Sequence, residues 1–187
     1  MQYRPLGRIV EVAMRFMFGF VLLACLNIAT PALACGPEVH IRFAEESPDR
    51  FRITFVRGPK LQLVALQINL NGSAAGAIFD DYDGLAMQGP QPGPSGVTIR
   101  SIKYRTAGQE TVTVTFDDFA EKSVVDFHSD LDDNGAAGDL DQNHLNEGEL
   151  AGATAEATLV ASNGRRITIQ GRFDKQSQAR LGERACV

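Results

Sequence analysis

Asp130, Asp132 and Asn134 alternate along the chain, and Gly135 follows them. Side-chain oxygens at positions one, three and five, followed by a glycine that permits a sharp bend, form the first half of a calcium loop. The Ala136 carbonyl then falls at position seven and Asp141 at position twelve. Position twelve is ordinarily a bidentate Glu, and Asp is shorter. Asp139, Asp141 and Asn143 repeat the alternation, so Asp139 and Asn143 offer a second, overlapping metal cluster. Between Asp126 and Glu149 the chain carries eight carboxylates and no Lys or Arg. Charges so placed repel one another unless water, salt or a cation screens them. The expectation is an acidic loop over 126–149 that binds calcium. It is entered from the strand-like run Val124, Val125, Phe127 and not from a helix, so it is not an EF-hand.

Other chemistry has less support. Asp80, Asp81 and Asp83 are expected to mark a turn. His128 and His144 flank the acidic stretch, but no cysteine or His-x-x-x-His pairing completes a zinc site with Asp130. His40 lies in an alternating run and is expected at the surface. There is no G-x-S-x-G elbow, P-loop or dinucleotide fingerprint. A glycosidase would need two carboxylates across a cleft, one held protonated. The chain has no Trp to stack on sugars, leaving Tyr82 and Tyr104 as substitutes. No catalytic residue is assigned.

Positioning these groups falls to a chain that opens with a targeting segment. Met14-Arg15, the apolar run from Phe16 to Ala29 and the ending Ala32-Leu33-Ala34 read as a secretory signal peptide over 1–34, with Met14 an alternative start. The apolar run is too short for a comfortable membrane span, so no transmembrane segment is expected in the mature form. Loss of Arg4, Arg8, Arg15 and Glu11 moves the net charge from −5 to −7. That balance disfavours nucleic acid and favours cations. Cys25 leaves with the leader, and Cys35 and Cys186 remain. An even pair in an exported chain implies a disulfide joining its two ends. The competing reading makes Cys35 the lipidated first residue of an outer-membrane lipoprotein.

Residues 35–187 are expected to form one domain. Val39–Phe43 and Phe51–Phe55 alternate around Ser47-Pro48-Asp49, the pattern of a hairpin. Leu66, Ile68 and Leu70 share one face of a third run, and Gly76–Phe79 is a short fourth. Gly84–Gly96, with four glycines and three prolines, reads as a long loop. Val97–Tyr104 alternates, Thr111–Phe116 is rich in β-branched residues and ends at Asp117-Asp118, and Ser123–His128 leads into the acidic stretch. Thr154–Ala161 and Arg165–Phe173 flank Asn163-Gly164, a strong hairpin signal. The tail from Asp174 to Arg184 reads as loop or one short helix. These runs predict an all-β fold, an antiparallel β-sandwich of about nine short strands, with a β-barrel as the alternative.

Four segments carry a family resemblance: Glu46–Phe51, Ile68–Asp80, Phe127–Asp133 and Gly148–Thr154. Their order resembles a group of exported proteobacterial proteins described as aggregation-factor-core-like. The resemblance implies a secreted all-β module linked to cell-surface or matrix association, and it carries over no catalytic residue. The Pro/Gly-rich stretch 84–96 and the Asp-Asn-Gly insert after Asp132 depart from the pattern.

Together these observations predict an exported, non-enzymatic binding or adhesion-type module, periplasmic or extracellular. Its acidic loop would hold calcium, and its partner would be a glycan or a cell-surface protein. The alternatives are a secreted polysaccharide hydrolase and a lipoprotein anchored through Cys35.

Overall fold

Period-two alternation produces strands with one buried and one wet face, and that pattern runs through nearly every strand here. A computed structural model describes residues 35–46, 49–80, 96–104, 110–132, 145 and 148–182. Among them are β1 (Glu38–Ala44), β2 (Asp49–Arg57), β3 (Leu61–Asn69), β4 (Ile78–Asp80) and β5 (Thr98–Tyr104). These are followed by β6 (Thr111–Ala120), β7 (Val124–Asp132), β8 (Thr154–Ala161), β9 (Arg166–Arg172) and β10 (Gln178–Gly182). One antiparallel sheet has the order β10-β1-β2-β7-β4 and the other β5-β6-β3-β8-β9. The fold is the antiparallel β-sandwich that the alternation predicts.

Phenylalanine fills its interior. All eight phenylalanines beyond the leader segment are buried. Phe51 is central: its ring lies 4.8 Å from Phe127, stacked, and 5.2, 6.2 and 6.5 Å from Phe43, Phe79 and Phe173. Leu66, Ile68 and Leu70 are fully buried, as their spacing predicts. The β1–β2 and β8–β9 pairs form the two predicted hairpins. At the second, Gly164 takes φ +80° and donates its N–H to the Ala161 carbonyl.

Four expectations are corrected. The tail is neither helix nor plain loop: Gln178–Gly182 is a tenth strand, paired with β1. Ala179 and Leu181 are fully buried, and the Asp174 carboxylate accepts the N–H groups of Gln176 and Gln178 at 2.9 and 3.0 Å, closing a tight turn. Nor do Asp117-Asp118 end β6. Leu63 pairs with Phe119 and Ala65 with Thr115, so β6 bulges between them, with Asp118 at φ +56°. Third, residues 126–132 are not loop but seven of the nine residues of β7. Asp80 likewise sits in β4 and not in a turn. Asp81, Asp83 and nearly all of the 84–96 stretch lie outside the described residues, as do the leader and Cys186.

Candidate functional site

β7 carries Val125, Phe127, Ser129 and Leu131 inward and turns Asp126, His128 and Asp130 outward. Its neighbours decide what each polar group meets. On one side β2 sets Asp49 opposite Ser129, Arg50 opposite His128 and Arg52 opposite Asp126. On the other, β4 sets Asp80 opposite Asp130 and Ile78 opposite Asp132.

Asp49 is the residue that sequence reasoning missed. With Ser47 and Pro48 it has the composition of a turn, yet it is the first residue of β2 and only 3% exposed. Burial pushes its carboxyl up to about 7, and the charges of Asp130 and Glu45 push the same way. The backbone N–H groups of Glu46, at 3.3 Å, and of Leu131 oppose that shift without cancelling it. The one available signal was register: Asp49 shares parity with Phe51, Ile53 and Phe55, the buried face of the strand.

Ser129 is fully buried, and its Oγ lies 3.2 Å from the Tyr104 hydroxyl, linking β7 to β5 across the sandwich. The Tyr104 ring packs 5.6 Å from Phe79. The Tyr104 hydroxyl is therefore committed to the interior, not offered as a sugar-stacking platform.

The predicted calcium ligands divide. Asp130 and Asp132 are described. Both lie in extended strand, and Asp132 is buried at 6% exposure. Positions one and three of the expected loop are therefore held by ladder pairing, not by loop geometry. Asn134, Ala136, Asp139, Asp141, Asn143 and His144 lie outside the described residues. Among the described residues no group of three His, Cys, Asp or Glu is arranged to hold a metal ion. Asp126 does not belong to the acidic cluster electrically. Arg52 grips it in bidentate fashion at 2.9 and 2.8 Å and holds its carboxyl below the usual range.

Surface hollows of about 270, 420 and 530 Å³ lie on the β3–β8–β9 face, beside Lys60 and Glu121, and beside Arg100 and Asp117. None of the three is lined by Asp49, Asp130 or Asp132. His40 is half-buried and not fully at the surface, with its Nε2 2.6 Å from a Glu38 oxygen. No helix among the described residues is long and apolar enough to cross a membrane.

Comparison with family models, curated proteins and solved structures gave no match.

Proposed function

We propose that this chain is an exported, non-enzymatic binding module whose β4–β7 end is ordered by calcium. The observation that carries the reading is the buried Asp49 carboxyl beside Asp130, at the point where β7 delivers Asp130 and Asp132 to the acidic stretch. A carboxyl held near neutrality by burial and like charge is in the environment that a hard cation would relieve. The donors at hand are carboxylate oxygens, the type that calcium prefers. Asp130 and Asp132 would supply the first ligands, and Asn134, the Ala136 carbonyl and Asp141 the rest, with Asp139 and Asn143 available to a second ion. Bound calcium would neutralise the charge of Asp130 and Asp132 at the end of β7. The surface so ordered would face a glycan or a cell-surface protein.

Calorimetric titration of the purified chain with calcium is the test. We expect binding in the micromolar to millimolar range typical of sensor and extracellular sites, about 10⁻⁶ to 10⁻³ M, and a melting temperature that falls on chelation. Asp132→Asn should weaken binding at least about tenfold while the chelated protein still melts cooperatively. Absence of heat at millimolar calcium, with chelator leaving the melt unchanged, removes the ion from the reading.

A further inference from the structure

The outer face of the first sheet carries an arginine cluster that linear sequence conceals. β10, β1 and β2 lie side by side, and their registers place Gln178, Arg42 and Arg52 in one row and Arg180, His40 and Thr54 in the next. Arg50 stands one row further on, opposite His128. Neighbours in a row have Cβ atoms about 5 Å apart, and diagonal neighbours such as Arg42 and Arg180 about 7–8 Å. Arg42, Arg52 and Arg180 are all exposed.

Counter-charges are unevenly shared. Arg52 is matched by Asp126, Arg50 by Glu46 at 2.6 Å, and Arg57 by Glu38 at 3.0 Å, the same carboxylate that meets His40. Among the described residues Arg42 and Arg180 have no carboxylate partner. Arg42 directly opposes Arg52, a like-charge pairing that costs stability. A chain with 23 acidic residues against 18 basic has many carboxylates that could have been placed there. The two guanidiniums sit side by side on adjacent strands, both exposed to solvent. Guanidinium forks suit carboxylate and sulfate oxygens in bidentate geometry.

We infer that Arg42 and Arg180, flanked by Arg52, form a docking surface for a linear acidic polysaccharide bearing carboxylate or sulfate groups. This surface is separate from the calcium end and needs no metal. It narrows the glycan partner of the previous section to a polyanion and assigns it to the β10–β1–β2 part of that sheet's outer face, away from the β4 edge.

The experiment uses the full mature chain in chelator, so that calcium bridging cannot contribute. Its retention is measured on immobilised polygalacturonate, on a sulfated glycan and on neutral dextran, across a salt series. We expect retention on one or both anionic matrices at low salt, loss of retention as salt rises, and none on dextran. The Arg42→Ala/Arg180→Ala double variant should bind about tenfold more weakly. The control pair Arg165→Ala/Arg166→Ala, where the β8–β9 turn enters the opposite sheet, should bind as the parent does. Matching melting temperatures establish that both doubles are folded. Equal retention on dextran and on the anionic matrices, equal losses in both double variants, or no retention in chelator would each overturn the inference. Failure of calcium binding alone would leave it standing.

Discussion

Asp49 shows how a single residue links burial to pH. Its carboxyl titrates near 7 when folded and near 3.8 when exposed. Between those values the folded state binds the extra proton, so the contribution of Asp49 to stability is complete below pH 4 and declines as pH rises toward 7. The slope approaches about 1.4 kcal/mol per pH unit for one such group. Asp126 acts in the opposite sense: Arg52 depresses its carboxyl, and its contribution is lost as pH falls below the ordinary carboxylate range. Asp49→Asn should therefore flatten the stability profile between pH 4 and 7, as followed by thermal melts in chelator. An unchanged slope would show that Asp49 is solvated. Phe51→Ala should cost about 3–5 kcal/mol, because four aromatic neighbours lose a common partner; denaturant unfolding measures it.

At the scale of elements, the strands were legible where alternation was strict and illegible where geometry broke it. β1, β2, β8 and β9 follow from apolar parity and turn residues alone. The Asp117-Asp118 pair resembles a strand end because bulges and ends both use polar residues with unusual backbone angles. Here Arg100 pairs with Asp117, and β6 runs on to bury Phe119. β10 was hidden by its brevity: Ala179 and Leu181 are only two inward positions. Its docking depends on a close approach. A Cβ on Gly171 of β9 would overlap the Arg180 carbonyl of β10. Gly171→Ala should separate these strands and destabilise the chain by about 1–3 kcal/mol, with hydrogen exchange rising first in β10. Unaltered exchange there would mean that the two strands part without cost.

For the whole molecule, β1 and β10 are hydrogen-bonded neighbours, with Glu38 opposite Gly182. Cys35 precedes the first by three residues and Cys186 follows the second by four. We propose the disulfide on that ground. Replacing both cysteines by Ser should cost about 2–5 kcal/mol, read as a lower melting temperature that reductant no longer affects. A lipid mass on Cys35 would instead identify an anchored protein. From sequence alone came the all-β class, the two hairpins, the buried phenylalanine parity and the expectation of export, because each depends on local periodicity or composition. Tertiary structure decided which strands became neighbours. Only that pairing brings Asp49 beside Asp130, or gathers Arg42, Arg52 and Arg180 onto one face, since their separation along the chain carries no information about register.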